Sequence, residues 1–289
     1  GRFASVGRSG FSEGTFWRFQ YKEPPERKSE GEYSEEFQAV LSNAVRSHLA
    51  ADVPVGAYLS GGWDSSLTAT LAAQVAGRRL KTFSVLFPED PGMDESRFSR
   101  RMAQYLGTDH HEIEFRASRL PEFLPKLSRH LEEPCATAPA GPVFTLASLA
   151  ADQVKTVISG EGADELFGGY EWVRLESPYR IRRLTPRWPF RVTAPLARGR
   201  AAKALRILGA EGDRGADAEW RRILTPRMKA ALLKPQYRVG DSDTAPVLLP
   251  DEILSSCADS LQRRLAFDFT SRMAEGILFM TDKVSMAHS

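Results

Sequence analysis

Apolar residues at Phe37, Val40, Leu41, Ala44, Val45 and Leu49 recur at the three- and four-residue spacing of one helix face, and Pro54 ends the pattern. A short apolar run over residues 55 to 59 follows, breaks at Ser60-Gly61-Gly62, and gives way to strong helix formers over 65 to 76. That order predicts strand, turn, helix. The unit recurs with a strand over 81 to 87, a helix over 94 to 106 and a strand over 111 to 115. Helices over 120 to 131 and 142 to 153 precede a further apolar strand, 155 to 159, which runs into Gly160-Glu161-Gly162-Ala163-Asp164-Glu165. Alternating units with apolar strands predict an α/β fold, a parallel sheet with helices on both faces.

Residues 178 to 250 lose the alternation, become rich in Arg, Ala and Pro, and predict short helices beside the sheet. Helical periodicity returns over 253 to 288 through Leu254, Leu261, Leu265, Phe269, Met273, Ile277 and Met280, which predicts a helical C-terminal portion. Residues 1 to 33 combine Gly, Ser, Pro and charge around Phe16, Trp17, Phe19 and Tyr21, and read as a lead-in strand or loop and a linker.

Charge refines this picture only locally. Thirty-nine basic and 37 acidic residues leave +2, which gives no global case for a nucleic-acid partner. Arg and Lys are concentrated between positions 174 and 229, where a solvated helical face is the favoured reading over a polyanion site. No apolar stretch approaches the roughly 18 residues of a membrane span, and the first residues lack the apolar core of a secretory signal. Cys135 and Cys257 stand far apart with no CxxC partner, which excludes zinc ribbons and disulfide scaffolds and fits a reducing, cytoplasmic compartment.

Candidate chemistry sits at two strand ends, where open α/β sheets bind ligands. In Ser60-Gly61-Gly62-Trp63-Asp64-Ser65-Ser66 the glycines admit close backbone approach and the following helix offers N–H groups and a positive dipole end to an anion. A carboxylate in such a turn makes sense with a cation beside phosphates, so Asp64 is a candidate Mg²⁺ ligand, the alternative being a helix-capping acid. Ser159-Gly160-Glu161-Gly162-Ala163-Asp164-Glu165 repeats the arrangement. Asp64 and Asp164 could share the metal, leaving Glu161 for proton transfer or substrate binding; the alternative is acids that decorate a helix start. Phe167-Gly168-Gly169-Tyr170 predicts the end of that short helix. His110 and His111, adjacent on a strand, face opposite ways and read as structural.

SGGWDSS resembles the pyrophosphate loop of the ATP pyrophosphatases, and SGEGADELFGGY is similar to the matching block of asparagine synthetases. DHHEIEF, EEPCATAPAGP and the terminal DKVSMAHS resemble further blocks of that family in the same order, so the likeness runs from about Tyr33 to Ser289. The family is the glutamine-hydrolysing asparagine synthetases. The resemblance implies a fold of the adenine nucleotide alpha-hydrolase-like, PP-loop type, and a reaction in which ATP adenylates the side-chain carboxylate of aspartate, pyrophosphate leaves with Mg²⁺, and ammonia displaces AMP. It assigns Ser60, Gly61, Gly62, Ser65 and Ser66, with Ser159 beside them, to pyrophosphate and ATP binding. Asp64 and Asp164 go to Mg²⁺, and Leu59, Val85 and Gly160 to the adenosine pocket. Glu161 matches the active-site glutamate, and Lys283 the lysine that steadies charge on the α-phosphate. Without the resemblance, Lys283 would read as a snorkelling surface residue.

The same resemblance implies an organisation: residues 1 to 33 as the remnant of a junction to a missing N-terminal glutaminase domain, and 34 to 289 as the ATP-binding synthetase domain, truncated at its C-terminus. The expected partners are ATP, aspartate, ammonia or glutamine, and a glutaminase domain in the same full-length chain; a homodimer is admitted, while membranes and nucleic acid are not expected. Trp63 replaces a smaller apolar residue of the loop, and Thr137 and Pro139 stand where Asp and Ser are common. Those departures keep open a related adenylating amidoligase, of the β-lactam-forming or peptide-cyclising kind, acting on another carboxylate. An RNA-directed PP-loop enzyme is the third reading, supported only by the basic stretch.

Overall fold

The computed structural model describes residues 1–8, 10–21, 26–77, 79–132, 139–170, 185–222, 224–237 and 249–288. Contacts divide the chain into two units, Gly1–Glu23 with Glu165–Thr270, and Pro24–Asp164 with Ser271–Ser289. In chain order, an antiparallel hairpin of β1 (Arg2–Gly7) and β2 (Gly10–Thr15) precedes α1 (Glu30–His48), β3 (Val55–Tyr58), α2 (Trp63–Val75), β4 (Lys81–Leu86), α3 (Ser96–Leu106) and β5 (Asp109–Glu114). Then come α4 (Leu120–Leu131), α5 (Ala140–Ala151), β6 (Thr156–Ile158) and α6 (Ala163–Phe167). Short helices α7 (Trp188–Thr193), α8 (Gly199–Gly209), α9 (Gly212–Arg221), α10 (Pro226–Leu232), α11 (Asp251–Ser256) and α12 (Ser260–Phe267) lead into a π-helical run, Asp268–Leu278, and α13 (Phe279–Met286).

Helices α1, α2 and α5 start earlier than apolar periodicity indicates, α5 at Ala140. At α1 a capping box operates: the Ser29 side chain accepts from Glu32 N, and the Glu32 carboxylate accepts from Ser29 N at 2.8 Å. Its acidic first turn suits the helix dipole and carries no apolar signal. Helix α2 begins at Trp63, so Asp64 lies in its first turn. The α1 stripe is also narrower than predicted, with Val45 buried and Leu41 and Leu49 packed on the core while Val40 and Ala44 are exposed.

All four strands of the main sheet are parallel, in the order β5-β4-β3-β6. Side chains alternate across it. Val55, Ala57, Leu59 and Ile158 join Val45, Ala69, Leu71, Ala72 and Ala103 of α1, α2 and α3 on one face. On the other, Tyr58, Phe83, Ile113 and Val157 pack with Leu146 and Ala150 of α5. Beyond α5, Leu127 and Leu131 of α4 meet Phe144, Met280 and Val284, which fixes α13 to the sheet unit. Full burial of a side chain such as Phe83 or Leu59 contributes roughly 1.5–3 kcal/mol.

The face beneath α3 is polar. Thr82 and Ser84 are buried, and their hydroxyls are satisfied by Thr108 Oγ1 at 2.8 Å, His110 Nδ1 at 2.9 Å, His110 Nε2 at 3.0 Å and Ser99 Oγ at 3.3 Å. His111 points to the opposite face, stacked on Phe83 at 5.5 Å, with Asp109 Oδ2 3.2 Å from its ring.

In the other unit, Trp17 and Phe19 pack on Phe269 at 6.3 and 5.0 Å. Arg191, Arg206 and Arg222, all in the basic stretch, pair with Glu211 at 2.9 Å and with Glu219 at 3.2 and 2.9 Å. Arg174 at its start lies outside the described residues. In and after α12 the predicted apolar positions Leu261, Leu265 and Phe269 are only half-buried, whereas Arg264, Ala266 and Asp268 are buried. Arg264 Nε donates to the Ser260 carbonyl at 3.3 Å from this buried position, which the apolar periodicity does not mark. No helix among the described residues is long and apolar enough to cross a membrane.

Burial lowers the His110 pKa below its ordinary 6.5, with Glu112 opposing the shift and His111 and Arg100 adding to it. A depressed histidine pKa means the unfolded chain binds the proton first, so this contribution to stability is present above about pH 6.5 and declines as pH falls toward the lower folded value. Thermal melts at successive pH values should show a decline below about pH 6.5 that is shallower in His110→Asn, which lacks the titrating ring. An unchanged slope in the variant would remove His110 as its source.

Candidate active site

Every sequence-assigned site residue falls in the unit that holds the parallel sheet. Strand β3 pairs with β4 on one side and β6 on the other, so the chain leaves β3 toward one edge and returns on the opposite one. A crevice outside the carboxyl ends of strands is expected at such a reversal. Both glycine-carboxylate segments lie there.

Leu59 extends the ladder past β3, donating from its N–H to the Phe83 carbonyl at 2.9 Å, and its side chain is wholly buried. Val85, in β4, is half-buried opposite Ile113. After Leu59 the turn is knitted by hydroxyls: Ser60 and Ser65 Oγ are 2.9 Å apart, Ser60 N donates to Ser65 Oγ at 3.2 Å, and Gly62 N to Ser60 Oγ at 3.3 Å. Gly61 has φ +88, and a methyl group there would lie 2.5 Å from Ser99 N in α3. Only glycine satisfies both the conformation and the approach.

Gly62 is the N-cap of α2 and supplies no side-chain cap, so the first N–H groups of that helix lack the partner a Ser or Asp cap would provide. Asp64, exposed in the first turn, is not that cap. Ser66 N bonds back to the Gly62 carbonyl at 3.0 Å. Trp63 is 94% exposed.

The second segment meets the first directly. A methyl group on Gly160 would lie 2.6 Å from Ser65 N and 2.7 Å from the carbonyl carbon of Asp64, so the two strand-end turns touch through backbone. Glu161 N donates to Ser159 Oγ at 3.4 Å, and Gly162, φ +95, leads into α6, which carries half-buried Asp164 and ends at Gly168 with φ +69. The acids of this turn are more than helix decoration, since Glu161 Oε2 accepts from Thr281 Oγ1 at 2.7 Å. Burial, and then the Glu161 charge, push the Tyr58 hydroxyl up to about 12.

Lys283, two residues beyond Thr281 on α13, is half-buried and pairs with the Glu132 carboxylate, with its Nζ 5.6 Å from the Phe279 ring centre. That pairing holds the Glu132 carboxyl below the usual carboxylate range. Tyr58 and Thr281 escape motif reading, and Glu132, the first residue of the EEPCATAPAGP block, is given no role by it. Thr281 borders the terminal block, and the partners of Thr281 and Glu132 lie 120 and 151 positions away in the chain. Thr137 lies outside the described residues; Pro139 precedes α5. Among the described residues no cluster of three or more His, Cys, Asp or Glu side chains is arranged to hold a metal by itself.

A parallel sheet of this order, with paired glycine-rich turns at its carboxyl edge, defines an α/β domain of the PP-loop synthetase type. A family model described as Asparagine synthase matches residues 36–289, and the chain belongs to that family. It is similar to a putative glutamine-hydrolysing asparagine synthetase of Mycobacterium bovis, 34% identical over 269 residues that cover 88% of this chain and 39% of the relative. It is likewise similar to glutamine-hydrolysing asparagine synthetase 1 of Bacillus subtilis, 30% identical over 281 residues, 95% of this chain and 43% of that protein. A third likeness, to a Gibberella zeae protein named amidase chry2, is 35% over 178 residues, 56% of this chain and 26% of the relative. The chain thus spans about two fifths of the length of the two synthetases.

Gly160→Ala places a methyl group against backbone that cannot swing aside, so the turns must part. Overpacking of this kind costs about 1–3 kcal/mol. Denaturant melts should show that loss; a variant with parental stability would show the contact to be dispensable.

Proposed function

We propose that this domain forms an amide by adenylating a carboxylate with ATP, and that the carboxylate is the side chain of aspartate, with ammonia giving asparagine. The observation that carries the reading is the meeting of the two turns beside the uncapped start of α2. Three kinds of anion donor converge there: backbone N–H groups, the hydroxyls of Ser60, Ser65 and Ser66, and a helix dipole. In this reading the pyrophosphate of ATP lies in that cradle, and Leu59, Val85 and Gly160 border the adenosine. The acceptor carboxylate oxygen bonds to the α-phosphorus, the bond from that phosphorus to the bridging oxygen breaks, and pyrophosphate leaves. The amine nitrogen then attacks the acyl carbon, gives up a proton, and AMP departs.

Lys283 supplies a fixed cation to the crowded α-phosphate, an interaction stronger in the transition state than in the ground state. Glu161, held by Thr281, orients the amine or takes its proton. Asp64 and Asp164 fit Mg²⁺ only in company, because Mg²⁺ is held by one or two carboxylates together with substrate phosphates. Backbone contact between the turns that bear them supports that assignment. When bound, the ion neutralises phosphate charge. Relatives named as glutamine-hydrolysing extend well beyond the matched region, which supports a glutaminase domain as the source of ammonia. A second reading, the same chemistry on another carboxylate, is favoured by the fully exposed Trp63 in the loop and by the likeness to a protein named an amidase.

With ATP, Mg²⁺, ammonia and aspartate the protein should release AMP and pyrophosphate in equal amounts. ADP as the sole nucleotide product would remove the adenylation reading, and turnover with other acids but not aspartate would establish the second one. Lys283→Ala should lower aspartate-dependent exchange of labelled pyrophosphate into ATP by about 10²–10³, the usual loss of an electrostatic stabiliser. Glu161→Gln should retain that exchange while losing amide formation. Unimpaired exchange in Lys283→Ala would assign the lysine to the surface.

A further inference from the structure

Helix α4 ends at Glu132, whose backbone is left-handed, φ 61 and ψ −10. Among the described residues it is the only one other than glycine with positive φ. Glycine is the residue that position favours, since a Cβ there is a steric burden. The side chain is nevertheless engaged: its carboxylate receives the Lys283 ammonium from α13. Both ends of this bridge are rigidly mounted, because Leu127 and Leu131 of α4 pack against Met280 and Val284 on either side of Lys283. The Phe279 ring, one turn earlier on α13, borders the lysine as well.

An exposed ion pair of this kind contributes little to stability. What it does supply is confinement. A lysine side chain has four rotatable bonds and, once free, spreads its charge over many positions; a carboxylate on a neighbouring helix holds the ammonium in one of them. The ammonium has three donors, so it can meet a phosphate oxygen while keeping Glu132.

We infer that Glu132 is a positioning residue for the adenylation step, holding Lys283 where it meets the α-phosphate. The inference rests on the role given to Lys283 above. It separates from a merely structural role because glycine at 132 suits the backbone and removes the carboxylate in one change.

The test compares Glu132→Gly, Glu132→Gln and Glu132→Asp in the intact protein with ammonia, reading kcat for AMP release, KM for ATP and the melting temperature. Glu132→Gly should melt at or above the parental temperature, since it relieves the left-handed backbone. Both it and Glu132→Gln should nonetheless lose about ten- to a hundredfold in kcat, as misplaced catalytic groups do, with KM for ATP unchanged. Glu132→Asp, which keeps the charge on a shorter arm, should recover part of the rate. Parental or raised kcat in the Gly and Gln variants would overturn the inference, as would a rate loss that appears only with a fall in melting temperature or a matching rise in KM. A parent that makes no AMP would overturn the reading of the whole site, and the inference with it.

Discussion

The backbone contact between Gly160 and the Asp64–Ser65 peptide is the constraint on which the active-site architecture depends. It exists because β6 docks beside β3, and it succeeds only because position 160 has no side chain. Everything assigned to ATP hangs from the two turns so joined. Hydroxyl bonds among Ser60, Gly62 and Ser65 stiffen one turn from within, and Gly61 braces it on the first turn of α3. The first turn is thus held by the protein's own contacts.

Helix α13 complements that cradle from outside the sheet. Thr281 takes hold of Glu161 and Lys283 is held by Glu132, so one short helix serves both turns of the proposed chemistry, activation and amine attack. Its anchor is apolar, through Met280 and Val284, and it is preceded by an eleven-residue π-helical run. Such a run departs from ordinary helical hydrogen bonding.

Much of the sheet unit is legible in the sequence. Helix α4 falls on residues 120 to 131 as its periodicity indicates, and each strand of the main sheet lies within two residues of its expected span, although β4 interleaves Thr82 and Ser84 and β5 is polar but for Ile113. Helix starts are less legible: α1 opens on Glu30 through a cap and acids, signals that apolar spacing does not carry. The two turns are visible as glycine-carboxylate motifs, but Thr281 and Tyr58 join the site only through tertiary structure, and Glu132, though inside a quoted block, gains its role only from its pairing with Lys283. No local pattern marks a threonine that will meet a glutamate from a distant strand end. Arg264 and Asp268, buried where hydrophobes are expected, show the same limit from the core side.

The pairing of β3 with β6 has a kinetic meaning as well. Val55 lies beside Thr156, so the ladder closes a loop of about a hundred residues, a slow event in folding because the entropy of closure precedes its reward. The two turns stand on either side of that seam. A chain that has folded only as far as β5 has the first turn and the start of α2 but none of the junction at Gly160, so the site of the proposed chemistry is incomplete in it.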